Sequence, residues 1–258
     1  MKRERGRHYR QCRRDQDKKM TIIKQAWKIT RQDFRNNPYV VLWTLLFIAY
    51  LGFTMSFAVS VHWDERGNLS PVADFIMLVL IPFLGYIYNR RAFKYLQEDS
   101  YTHMLAFFRT LPIPMNAVIM SRIQQALLAF VANSVIFFTL LFTLSATFQV
   151  YASTGFFVSF ALTWIGYGML IQAIYIHLEF LKKGKSYFWL SIVIMLICGI
   201  VTIIVRVCGA NLVSITAFYS KEWQLLSPVM WGALLAGALG MWMSYRVTQR
   251  KLMKRDLT

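Results

Sequence analysis

YVVLWTLLFIAYLGFTMSFAVSV, residues Tyr39 to Val61, carries neither a charge nor a proline. At 1.5 Å per residue, a helix of that length crosses the ~30 Å hydrocarbon core of a bilayer. A soluble domain has no use for an uncharged run this long, so these residues set the class: a chain built for lipid. Composition agrees. Of the 258 residues, 57% are hydrophobic and only 16% charged, and the mean hydropathy is +0.42. Soluble domains carry about a quarter charged residues.

Further spans are expected on either side of polar turns. After His62 to Asn68, Val72 to Tyr88 reads as a second span, kinked at Pro82 and continuing helically toward Arg91. Ile123 to Phe148, Phe156 to Phe180, Tyr187 to Val207 and Leu225 to Val247 read as the third to sixth. Gly209 to Gln224 is a polar stretch, within which residues 210–220 could form a re-entrant segment if protein covers their backbone. The expected fold class is thus an all-α polytopic membrane protein with six transmembrane helices, in a domain spanning 39–247.

Residues 1–19 form a strongly basic tail, solvated and close to anionic headgroups, and no cleavable signal peptide is expected in it. Residues 20–37 read as an amphipathic interfacial helix. Ile23, Trp27, Thr30 and Phe34 recur at helical spacing beside Ala26, and Lys24, Lys28, Arg31 and Arg35 recur on the neighbouring stripe. Asn36-Asn37-Pro38 ends it, because the residue before a proline disfavours the α region. Tail and helix make a first unit, 1–38, and a short basic tail, 248–258, closes the chain.

The formal net charge is +17, but the cations bracket apolar runs instead of forming a nucleic-acid footprint. With both termini in the cytoplasm, 26 of the 29 Lys and Arg fall on the cytoplasmic side, leaving Arg66, Arg206 and Lys221 opposite. The positive-inside rule selects that orientation. It places the long loop 89–122 in the cytoplasm, and the chain in a cell membrane as a multi-pass protein.

Motifs for chemistry are few. Gly184-Lys185-Ser186 ends like a phosphate-binding loop, but Glu179 stands where the first glycine is required, so the chain supplies no ATPase of its own. The histidines (His8, His62, His103, His177) are scattered, no HExxH or GxSxG occurs, and Cys12, Cys198 and Cys208 have no metal or disulfide spacing. No metal site or bound cofactor is expected. His177 and Glu179 could serve a proton relay or a catalytic pair, but a solvated position beside Lys182 is the simpler expectation. Asp74, Asn133 and Gln172 fall inside apolar runs. They could line a pathway or bond neighbouring helices, with Asp74 close enough to the outer boundary to be wet. Gly232/Ala236 and Ala233/Gly237 are small-xxx-small pairs for close helix packing, within the subunit or across a dimer.

The loop 89–122 holds Gln97-Glu98-Asp99-Ser100-Tyr101-Thr102 and Leu105, then Leu111-Pro112-Ile113-Pro114, then Val118-Ile119-Met120-Ser121-Arg122. This order resembles the permease subunits of ABC-2 type ABC transporters. In that family an acidic turn precedes a short helix, a Leu-Pro element follows, and a basic residue opens the next span. The resemblance implies an exporter subunit, acting as a dimer with a same or homologous permease and with two copies of a separate ABC ATPase that holds ATP and Mg. It implies an ATPase-coupling segment at Glu98, Asp99, Leu105, Phe107, Phe108, Arg109, Leu111 and Pro112. Leu105, Phe107, Phe108 and Leu111 supply an apolar knob of the kind that docks a groove, with Arg109 as a charged rim. Sparse fixed charge favours a hydrophobic or amphipathic cargo. An intramembrane enzyme using His177 and Glu179, or a non-transporting scaffold, are the alternatives.

Overall fold

A computed structural model describes residues 21–61, 71–86, 110, 113–149 and 153–252, and every regular element among them is helical. The first helix, α1, covers 21–36, and after Asn37 the chain re-enters helix as α2, Pro38–Val61. The break falls where the Asn-Pro pair demands it: proline is tolerated at a first helical position because that N–H has no partner anyway.

Four further helices follow: α3, Pro71–Phe83; α4, Met115–Leu144; α5, Ala146–Gln149; and α6, Thr154–Leu181. Then come α7, Gly184–Val207; α8, Leu212–Trp223; a 3₁₀ turn over Gln224–Leu226; and α9, Pro228–Leu252. Of these, α2, α4, α6 and α7 are long and apolar enough to cross a membrane. Joined as one span, α8 and α9 would make a fifth, though they meet at 87°.

Two sequence expectations are corrected. The second run was expected to stay helical past Tyr88 toward Arg91, but α3 has 13 residues and stops at Phe83, with Leu84 and Gly85 in a turn. At about 20 Å it is shorter than the ~30 Å hydrocarbon core. Pro82 is the reason, since it removes one helical donor and crowds the carbonyl four residues back. Residues up to Arg122, expected to lead into the third span, are already helical from Met115. Within the polar stretch Gly209 to Gln224 lies the helix α8, nearly perpendicular to α9, a bend compatible with the re-entrant segment left open for 210–220.

The centre of the molecule is α6, which packs against α3, α4, α7, α8 and α9, while α2 packs chiefly on α4. Phe130, Phe137 and Phe138 from α4 meet Phe156, Phe160 and Trp164 from α6, with Phe148 between them. Two pairs of these rings, Phe137–Phe138 and Phe138–Phe160, stand edge to face, the latter with centroids 6.4 Å apart. The closest pairing joins α6 to α9, which run parallel. Gly166 meets Gly237, Ser244 Oγ donates to the Ala173 carbonyl, and His177 meets Thr248, each pair 71 positions apart. A Cβ on Gly237 would stand 2.5 Å from the Gly166 carbonyl oxygen, so glycine here sets the helix–helix distance. Of the two small-residue pairs, Ala233/Gly237 is therefore used within the subunit, while Gly232 faces open space.

Opposite in character is α7, which buries only Gly184, Tyr187, Cys198 and Thr202 and exposes Trp189, Leu196, Ile200 and Ile204 among others. It ends at Gly209 (φ +74°), a left-handed residue whose N–H reaches the Arg206 carbonyl while that of Ala210 reaches Val205. These two bonds close the helix C-terminus.

Candidate functional site

The polar side chains inside the apolar helices serve two breaks in the helical framework. The first is at the end of α3. Pro82 leaves the Leu78 carbonyl without its helical donor, and Tyr167 of α6 fills the place, its hydroxyl donating at 2.9 Å. Where the chain then turns, Asn133 Nδ2 of α4 donates to the Leu84 carbonyl at 2.7 Å and lies 3.4 Å from that of Tyr86. Gln172 Nε2 of α6 reaches the Gly85 carbonyl at 3.5 Å. Without such donors each carbonyl in an apolar surrounding would cost about 1–3 kcal/mol. Asn133 and Gln172 are both buried and belong to one site. Tyr167 escaped the sequence reading, although the gap it fills follows from Pro82 alone.

The second break is at the start of α8. Asp74, expected to be wet, is only 2% exposed. Its carboxylate accepts from the backbone N–H groups of Leu212 and Val213 at 2.8 and 2.9 Å. Asn211 Oδ1 accepts from Ser214 N–H. All three N-terminal amides of α8 thus find acceptors, and a negative charge lies at the positive end of the helix.

A third polar group joins α1, α4 and α6. Arg122 Nε pairs with Glu179 Oε2 at 3.0 Å, and Arg122 also reaches Gln125 Oε1 at 3.4 Å. Gln125 Nε2 donates to Asp33 Oδ2 at 2.7 Å, and Thr30 Oγ1 donates to the Ser121 carbonyl at 3.2 Å. Glu179 is only 4% exposed, so the solvated position expected beside Lys182 is corrected to a buried pair with Arg122. His177, two residues earlier, points elsewhere: its Nδ1 lies 2.8 Å from Thr248 Oγ1. The two side chains are not brought together, since neighbours two apart on a helix diverge.

On α1, Ala26 and Thr30 are buried against the bundle, and Phe34 is half-buried. Lys24, Lys28, Arg31 and Arg35 are exposed, and so are Ile23 and Trp27, each 49% accessible. The expected apolar stripe is therefore split between packing and an open face. Phe34 and Asn133 help line a cleft of about 280 Å³ between α1, α2 and α4. The expected coupling residues Glu98, Asp99, Leu105, Phe107, Phe108, Arg109, Leu111 and Pro112 lie outside the described residues. Among the described residues no three His, Cys, Asp or Glu converge as a metal site needs.

Several apolar helices of membrane-crossing length make this a membrane protein, and every regular element among its described residues is helical. Compared with known proteins, it matches no family model, no curated protein and no solved structure.

Proposed function

We propose that the chain is the membrane-spanning subunit of an ABC-2 type exporter. In this reading it has six spans with α3 as a short second one, both termini cytoplasmic, and α1 lying at the membrane surface of the cell. It pairs with a second permease, same or homologous, and works with two separate ABC ATPases that hold ATP and Mg. Loop 89–122 docks on the ATPase.

One observation carries the reading beyond the sequence resemblance: the pair of half-buried Arg122 with buried Glu179. It fixes the helix that emerges from the loop to α6, the helix with the most neighbours. A displacement entering through the loop would reach the centre of the bundle through this contact, and Gln125–Asp33 would carry it to α1. Helices that break where side chains satisfy their backbone suit a bundle that must rearrange.

The experiment has two arms. The tagged full chain, purified in mild detergent, is expected to bring down a protein with a Walker-type ATPase motif, and Phe108→Asp or Leu111→Asp is expected to abolish that association. Glu179→Ala is expected to keep the association while lowering cargo-stimulated ATP hydrolysis at least tenfold. Reproducible absence of any ATPase, or Glu179→Ala with unchanged stimulation, would count against the reading.

A further inference from the structure

At the ends of α6 and α9 lies a cavity of about 320 Å³ lined by His177, Leu178, Leu181, Lys182 and Lys251. Its lining combines two lysines and a histidine with two leucines. No carboxylate lines it, because Glu179 faces away toward Arg122. Both lysines are exposed, and among the described residues neither has an acidic partner. Thr248 is fully buried and holds His177 Nδ1, which fixes the imidazole beside the two ammonium groups. Lys182 follows directly on the last residue of α6, and Lys251 lies in the last turn of α9, so both stand at the ends of their helices.

The geometry points to a binding site for a phosphate-bearing anion at the α6–α9 end, the anion seated between Lys182, Lys251 and His177, and in a membrane the headgroup of an anionic phospholipid. Basic pockets between helices at a bilayer boundary take such headgroups, with Leu178 and Leu181 offering a surface for the adjoining acyl chain. This inference rests on the membrane class alone and stands whether or not the chain is a transporter. The competing role for the lysines is to neutralise the carbonyl ends of α6 and α9. That role needs no cavity and no particular lipid, which makes the two separable.

The full chain is reconstituted into nanodiscs of phosphatidylcholine with or without phosphatidylglycerol, and lipid retention is read by native mass spectrometry with thermal stability alongside. Phosphatidylglycerol is expected to be retained preferentially, with the preference falling about fivefold for each lysine replaced, the equivalent of about 1 kcal/mol. It is expected to vanish in Lys182→Ala/Lys251→Ala and to persist in Lys185→Ala. If inorganic phosphate added in detergent stabilises the wild type as much as phosphatidylglycerol does, and fails on the double variant, the anion site stands with a soluble source. No preference in the wild type overturns the inference, as does a preference that survives the double variant. A double variant destabilised equally in both lipids, after a wild type without preference, assigns the lysines to the helix ends. Should the double variant not purify, a photoactivatable phosphatidylglycerol on the wild type decides: labelling confined to peptides other than 177–182 and 248–252 overturns the site.

Discussion

Gly237 has no side chain, and the distance between α6 and α9 depends on that. The Gly166 carbonyl occupies the place a Cβ would need, and it is backbone, so it cannot swing aside. Gly237→Val is expected to lower stability by about 3 kcal/mol, at the upper end for overpacking. Gly232→Ala, with nothing within 4 Å, is expected to leave stability unchanged. Thermal unfolding and size-exclusion profiles of both variants in detergent check the pair. Equal behaviour would show that the α6–α9 seam is looser than the close approach implies. Arg122 and Glu179 form the other residue-level contact of consequence. Because Glu179 is buried, removing Arg122 alone leaves an uncompensated charge, expected to cost about 3 kcal/mol. The double variant Arg122→Ala/Glu179→Ala is expected to be less destabilised than the sum of the single changes. A thermodynamic cycle on the four proteins measures the coupling, and additivity would remove the pair from the account.

Two elements, α3 and α8, depend on side chains from elsewhere. The end of α3 has carbonyls answered by Asn133, Gln172 and Tyr167, and the start of α8 has amides answered by Asp74. Asp74→Ala is expected to destabilise by about 2 kcal/mol, since two charge-assisted bonds are lost with the cap. Asn133→Leu is expected to cost about 1 kcal/mol, in the range of interhelical hydrogen bonds in membranes. Hydrogen exchange separates them: Asp74→Ala accelerates the amides of Leu212 and Val213, whereas Asn133→Leu leaves them as they are. Pro82 reads in sequence as a kink, and that α3 ends one residue beyond it, at Phe83, is not written there. The residues that repair the break sit 51 and 90 positions further on, at Asn133 and Gln172, and no local pattern ties them to it.

For the whole molecule, the charge asymmetry makes the sharpest prediction. With 26 of 29 Lys and Arg assigned to one side, the turn between α6 and α7 is expected to face the cytoplasm and α8 the opposite way. In a background without native cysteines, a membrane-impermeant maleimide added to intact cells is expected to label Lys221→Cys and not Lys185→Cys. The reverse pattern would invert the topology. The exposed apolar face of α7 belongs to the same scale: with Trp189, Leu196, Ile200 and Ile204 uncovered, this helix meets lipid in the single chain.

Helix type, the apolar runs that became α2, α4, α6 and α7, and the Asn-Pro break before α2 were written in local sequence, because hydropathy and proline geometry act within a few residues. The same is true of polar residues out of place, and Asp74, Asn133 and Gln172 could be singled out on that ground alone. Their partners could not. Asp74 binds amides 138 and 139 positions away, and Glu179 finds Arg122 57 positions back. Such pairings depend on which helices lie side by side, and only the packing of α6 at the centre of the bundle decided that.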